Sequence, residues 1–173
     1  MVRVIIYGPE CFGVQTENDL IVFNPHQDLQ ESQIIPWDSV TVVFGRKDTI
    51  VKYNKDYNFV LRSSTESYTD DTVCRFVPLD GAWSIGAEGR DILYWYDTSH
   101  WLVHDWKPTV VLVDMLKESP NIIDTVISLW SRYAVPLHVS SDMEAIEFCR
   151  AVMQWSKCVP KYFKPWQYLL CDL

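Results

Sequence analysis

Glycine is scarce, 6 in 173 residues. The sequence contains no Gly-rich phosphate loop, no dinucleotide fingerprint and no Gly-x-Ser-x-Gly nucleophile elbow. Histidine is scarcer still at 4. The 5 cysteines are scattered (Cys11, Cys74, Cys149, Cys158, Cys171) without a Cys-x-x-Cys pair, which excludes zinc-ribbon and thioredoxin-type motifs. Cations are outnumbered, 15 Lys+Arg against 23 Asp+Glu for a net charge of −8. That balance argues against direct nucleic-acid binding, which needs surplus cations to neutralise phosphates. It argues equally against adsorption to an anionic membrane. No apolar run approaches the roughly 18 residues of a membrane-spanning helix. The short run Val2–Tyr7 lacks a small-residue cleavage site and does not read as a signal peptide. These absences point to a cytoplasmic protein with reduced thiols.

Aromatic residues are abundant: 8 Trp, 9 Tyr and 7 Phe make up 14% of the chain, within an apolar fraction of 48%. Six tryptophans (Trp95, Trp101, Trp106, Trp130, Trp155, Trp166) fall in the second half, and most are expected in the core, where aromatics supply large buried area. No repeat, low-complexity tract or linker interrupts the sequence, so residues 1–173 read as one domain.

Strand signals dominate the first two-thirds. Val2–Tyr7 is β-branched and stops at Gly8-Pro9; Phe12–Thr16 alternates up to the turn Glu17-Asn18-Asp19; Leu20–Phe23 halts at Asn24-Pro25; Ser39–Phe44 stops at Gly45. The stretch Asp48–Lys55 is ambiguous and reads as one short helix. Asn58–Arg62 and Thr72–Pro78 read as strands around a polar loop. Trp83–Ile85 and Asp91–Tyr96 flank the turn Glu88-Gly89-Arg90. Pro108–Val113 is wholly apolar, as in a strand buried on both faces. The pattern then changes. Asn121–Tyr133 has apolar residues at a 3.6-residue period with Asn121 as N-cap. Ala134–Val139 is a strand, and Met143–Trp155 is a helix capped by Ser141 or Asp142 with Glu144 in its first turn. From about residue 157 the tail is aromatic and Pro-punctuated, and is expected to be extended. Strands followed by strand–helix–strand–helix imply an α/β architecture with helices outside a sheet core.

The order of these motifs resembles the metallo-β-lactamase fold, in particular its short lactonase-like hydrolase branch. Gly8-Pro9-Glu10-Cys11-Phe12 is similar to that family's Gly-His-Ser-Cys/Ala-Phe, and Leu20–Pro25 to its Ile-Asp-Pro strand end. Val40–Thr49 is similar to the strand running into His-x-His-x-Asp-His, Tyr96-Asp97-Thr98 to Gly-Asp-Thr, and Val135-Pro136-Leu137-His138 to the strand ending in the last ligand histidine. The resemblance spans roughly residues 2–150. It implies an αββα β-sandwich with outer helices, reduced in size, and a binuclear metal centre for hydrolysis.

The departures from that pattern bear on function. The first-site histidines fall on Phe44, which has no lone pair, and Arg46, a permanent cation where a dication would sit. Thr49 stands for another histidine, Asn24 for the supporting Asp, and Val77-Pro78-Leu79 leads to Asp80 rather than a mid-chain His. Asp48, Asp97 and His138 survive as a remnant metal site, holding at most one divalent ion such as zinc. The alternative is that they are polar residues satisfied locally, with Asp97 capping a turn and Asp48 paired to Arg46 or Lys47. His100 and His104, spaced i,i+4, read as surface residues, His26 as a loop residue, and Cys11 as core. The tail's Tyr162, Phe163 and Trp166 are candidate anchors for a protein partner or for self-association, since exposed aromatics among basic residues resemble interface anchors. The leading expectation is therefore a non-catalytic, metal-site-degenerate hydrolase-like protein that binds a protein or itself. The alternative is a single-metal hydrolase of phosphoesters or lactones, and a weaker one is an acidic nucleic-acid mimic.

Overall fold

A computed structural model describes residues 1–37, 40–44, 49–54, 57–62, 74–100, 102, 107–117 and 119–171; for 49–54, 57–62 and 74–78 the description is of the backbone only. The strands are β1 (Val2–Ile6), β2 (Phe12–Gln15), β3 (Leu20–Phe23), β4 (Val40–Phe44), β5 (Thr49–Asn54), β6 (Tyr57–Arg62), β7 (Cys74–Leu79), β8 (Ala82–Ala87), β9 (Arg90–Trp95), β10 (Val110–Asp114), β11 (Tyr133–Leu137), β12 (Val159–Pro160) and β13 (Tyr168–Cys171). The helices are α1 (Gln27–Gln30), α2 (Ile122–Ser128) and α3 (Asp142–Trp155).

The strands form two sheets, ordered β13-β1-β2-β3-β4-β5-β6 and β12-β11-β10-β9-β8-β7. Alternation along each strand explains the layering. Val2, Val4 and Ile6 of β1, Phe12 and Val14 of β2, and Phe23 of β3 meet Trp83, Ile85, Ile92, Tyr94, Val110, Leu112 and Val135 from the other sheet. The intervening residues of the second sheet, Leu93, Trp95, Val111, Val113 and Ala134, pack against Val126 of α2 and Phe148 and Val152 of α3. The opposite flank, Val22, Val40 and Val42, is covered by Leu29 of α1 and by Ile35. The architecture is thus a mixed α/β sandwich of two sheets with outer helices. Every residue of β10 is buried, as its unbroken apolar run requires.

Local chemistry sets the helix ends. Ser141 Oγ accepts from Glu144 N at 3.2 Å, while the Glu144 carboxylate accepts from the Ser140 hydroxyl at 2.8 Å, a reciprocal cap on α3. Asn121, in contrast, makes no side-chain capping bond. α2 is shorter than the periodicity suggests. Trp130 takes φ +52° just after the C-cap Leu129, a left-handed turn that ends the helix and frees Tyr133 to begin β11.

Two further expectations are corrected. Within the stretch Asp48–Lys55, the described residues 49–54 are not helix but strand β5, paired antiparallel to β4 through Val43↔Ile50 and to β6 through Ile50↔Leu61. Its β-branched Thr49, Ile50 and Val51 suit a pleated surface, and pairing on both sides overrides the ambiguous local signal. The late tryptophans are not mainly core. Trp95 is fully buried, but Trp130, Trp155 and Trp166 are 68%, 67% and 50% exposed; Trp101 and Trp106 lie outside the described residues. The tail is extended, as expected, and it joins both sheets: β12 pairs with β11, and β13 pairs with β1 through Val2↔Cys171. Among the described residues no helix is long and apolar enough to cross a membrane.

Candidate functional site

The carboxyl ends of β3 and β4, which run parallel, and of β9, β10 and β11, also mutually parallel, lie at one end of the sandwich. Crevices outside the carboxyl ends of parallel strands are where α/β folds place ligands, because the connecting loops converge there. A cavity of 430 Å³ opens at this end, lined by Pro9, Glu10, Cys11, Asn24, Pro25, His26, Phe44 and His138.

Backbone geometry holds this rim in unusual conformations. Asn24 follows β3 at φ +47° and His138 follows β11 at φ +57°, the left-handed region that non-glycine residues seldom adopt and that tertiary contacts must enforce. His138 N donates to Pro9 O at 2.6 Å and Asn24 N to Val43 O at 2.8 Å. The first of these bonds crosses between the two sheets and fixes the turn bearing Glu10 against the end of β11. Asn24 Nδ2 donates to Tyr94 Oη at 3.0 Å and to Glu10 O at 3.3 Å, which ties the rim to the inter-sheet core. His26 Nδ1 accepts from Leu29 N at 3.1 Å and so caps α1. Its ring lies against Gly8, where a Cβ would come within 3.2 Å of His26 Cδ2. Cys11 is buried, as expected, and burial pushes its thiol up to about 12, far from the thiolate character a nucleophile needs.

Of the candidate ligands Asp48, Asp97 and His138, the structure describes the last two. Asp48 lies outside the described residues. Asp97 sits just past β9 and is engaged locally: its Oδ1 accepts from Ser99 Oγ at 2.6 Å and Ser99 N at 3.2 Å, and Lys117 Nζ is 3.8 Å away. The Ser99 hydroxyl, with help from Lys117, holds the Asp97 carboxyl below its usual range. Of Asp97 and His138, only His138 lines the cavity. His100 pairs with Asp80 at 2.9 Å on the surface, and His104 is outside the described residues. In the tail, Tyr162 Oη donates to Asp142 at 3.0 Å, Phe163 packs on the inter-sheet core, and Trp166 meets the Tyr7 ring edge-on at 5.1 Å.

Two site residues escape the sequence reading. Glu10 stands on the turn after β1, and Asp114 ends β10, fully buried beneath His138. Ligand atoms of Glu10, Asp114 and His138 all lie within 4.8 Å of one another. A carboxylate directly closing the apolar run Val110–Val113 was a readable signal, because burying a charge costs several kcal/mol unless something compensates it.

A binuclear centre does not fit these residues. Phe44 offers the cavity a phenyl ring with no lone pair, Asn24 turns an amide donor to its neighbours, and Asp97 is held outside the cavity by Ser99 and Lys117.

No protein-family model and no curated protein sequence matches the chain. Solved structures do. A metallo hydrolase from the archaeon Ignicoccus hospitalis superposes with a TM-score of 0.68 at 12% identity, covering 97% of each chain. A Zn-dependent hydrolase of the metallo-β-lactamase superfamily from Thermotoga maritima gives 0.63 at 15% identity over 94% of this chain and 100% of the other. A diphosphatase of the PhnP family gives 0.63 at 11% identity, covering 100% and 99%. At these identities the likeness speaks to architecture, and it agrees with the resemblance in motif order: this chain has the metallo-β-lactamase fold.

Proposed function

We propose that this chain keeps the scaffold of a metallo-hydrolase without binuclear hydrolysis and works by binding a protein, either a different polypeptide or a second copy of itself. The observation that carries this reading is Phe44 lining the cavity at the strand ends while Asp97 is bound elsewhere. Metal-assisted hydrolysis needs an ion to lower the pKa of bound water from about 15.7 to about 7 and to polarise the scissile bond. A phenyl ring can hold no part of such an ion. Support for binding comes from the half-exposed Trp166, and from Trp130 and Trp155, which leave large apolar area in contact with solvent.

A second reading, hydrolysis of a phosphoester or lactone through one divalent ion, draws on the Glu10–Asp114–His138 group and on the diphosphatase among the structural relatives. One experiment separates the two. Purified protein, with zinc or manganese added, is assayed on bis-p-nitrophenyl phosphate and a simple lactone, and its mass is measured by light scattering alone and with Trp166→Ala. The binding reading expects no turnover above metal-containing buffer. Turnover abolished by His138→Ala establishes the second reading and removes the first. A dimer that Trp166→Ala dissociates identifies self-association through the tail.

A further inference from the structure

We propose that the outward face of α3 is a self-association surface, on which α3 of a second copy of this chain packs antiparallel. Such a dimer gives the binding reading its partner, yet the two fail separately. Turnover removes that reading and leaves the dimer, whereas a monomeric protein removes the dimer and leaves a different polypeptide as the partner.

The helix carries two faces. Ala145, Phe148 and Val152 are buried and seat it on the second sheet. Met143, Ile146, Glu147, Arg150, Met153 and Gln154 recur at the i, i+3, i+4, i+7 spacing of the opposite face, and all are exposed. The large apolar members of this strip, Met143, Ile146 and Met153, are 59%, 43% and 65% exposed. One apolar stripe is enough to dock a helix on a sheet; a second along its solvent side is surface for a partner to bury.

Charge selects the occupant. Asp142 is engaged by Lys164 and Tyr162, and Glu144 by Ser140. The side chains of Glu147 and Arg150 make no hydrogen bond or ion pair among the described residues. The acid lies toward the helix N-terminus and the cation one turn further on, at the middle of the strip. Two such helices, antiparallel about a twofold axis level with Phe148, bring Met143 of each beside Met153 of the other and Glu147 of each within side-chain reach of Arg150 of the other. The Ile146 side chain then packs along the aliphatic stem of the opposing arginine. The strip is thus apolar at both ends and paired in charge at its middle, the self-complementarity that an isologous interface requires and a foreign partner does not. Methionine ends adapt readily to such a contact, and antiparallel helix dipoles favour it. With 14 residues α3 is about 21 Å long, and one helix pair of that length buries less than the roughly 800 Å² per partner of a standard interface, so the dimer is a weak, concentration-dependent one.

The test is the mass of the full chain by sedimentation equilibrium from micromolar to near-millimolar concentration, where wild type should pass from monomer to dimer. Glu147→Arg sets arginine against arginine across the axis, and Arg150→Glu sets glutamate against glutamate. Each should weaken the dimer by about tenfold or more, because facing like charges suppress a pairing. Mixed one to one, the two variants regain both opposite-charge pairs and should form a heterodimer within about threefold of the wild-type affinity, a rescue that a loss of folding cannot produce. Trp166→Ala, on the tail, should leave the equilibrium unchanged. Both charge positions are exposed, and circular dichroism confirms that each variant is folded. The proposal is overturned if wild type stays monomeric throughout, if the charge variants dimerise as wild type does, if their mixture associates no better than either alone, or if Trp166→Ala dissociates the dimer.

Discussion

Phe23→Ala should destabilise this protein several times more than Asp97→Ala, because Phe23 belongs to an aromatic cluster packed between the two sheets. Phe23 is fully buried. Its ring stacks on Phe12 at 4.6 Å and 7°, and meets Tyr94 at 5.9 Å and Trp83 at 6.5 Å edge-on, so the cluster links β2 and β3 of one sheet to β8 and β9 of the other. Truncating a buried Phe to Ala typically costs about 3–5 kcal/mol in lost transfer and residual cavity. Phe23→Leu, which keeps most of the volume and loses the ring geometry, should cost about 1–1.5 kcal/mol. Asp97→Ala removes two hydrogen bonds near the surface, about 0.5–1 kcal/mol. Urea unfolding followed by tryptophan fluorescence measures all three, with an unchanged m-value certifying that stability alone has moved. For a chain of this size the expected fall in Tm is roughly 6–20 °C for Phe23→Ala and under about 4 °C for Asp97→Ala. Equal or reversed costs for the two would refute the reasoning, and would mean that the polar corner stabilises the sandwich more than its aromatic centre does.

Two further outcomes can be measured directly. Burial raises the thiols of Cys11, Cys149 and Cys158, with Cys11 reaching about 12 and, of these three, only Cys149 partly exposed; iodoacetamide at neutral pH should therefore label Cys149 well before Cys158, and Cys11 only after unfolding, and equal native rates for the three by mass spectrometry would contradict that burial. Asp97's depressed pKa, from Ser99 and then Lys117, adds stability above the unfolded aspartate value of about 3.9 that is lost as pH falls through the lower folded value; the stability gap between wild type and Asp97→Asn should shrink across that window, and a gap independent of pH would show that the carboxylate charge contributes nothing.

Much of the fold was legible because its signals are local. Leu20–Phe23 carries four apolar residues ahead of Asn24-Pro25 and is strand β3 to the residue. The wholly apolar Val110–Val113 is buried throughout. Ser140-Ser141 three and four residues ahead of Glu144 announces the cap of α3. What the sequence concealed depends on partners distant in the chain. Tyr168–Cys171 has no marked strand character and becomes β13 because β1 offers an unpaired edge. β5 is a strand because β4 and β6 pair with it on both sides. Glu10, Asp114 and His138 come from three separate regions and meet only when the two sheets close.

Asp97 and Asp114 show how strand parity sends two carboxylates that follow apolar strands to opposite faces. Both follow apolar strands, and β9 and β10 are parallel neighbours in register, Tyr94 beside Leu112 and Trp95 beside Val113. Tyr94 and Leu112 face the inter-sheet core, whereas Trp95 and Val113 face the helices. With a period of two, Asp114 continues the inward row of Val110 and Leu112, and Asp97 continues the outward row of Leu93 and Trp95. The inward position on β9's side is filled instead by Tyr96, which packs on the inter-sheet core. At Tyr96-Asp97-Thr98 the aspartate continues the outward row, and Lys117 and Ser99 engage it there. Asp114, the buried carboxylate 3.5 Å from His138, is the one that parity places on the inward row.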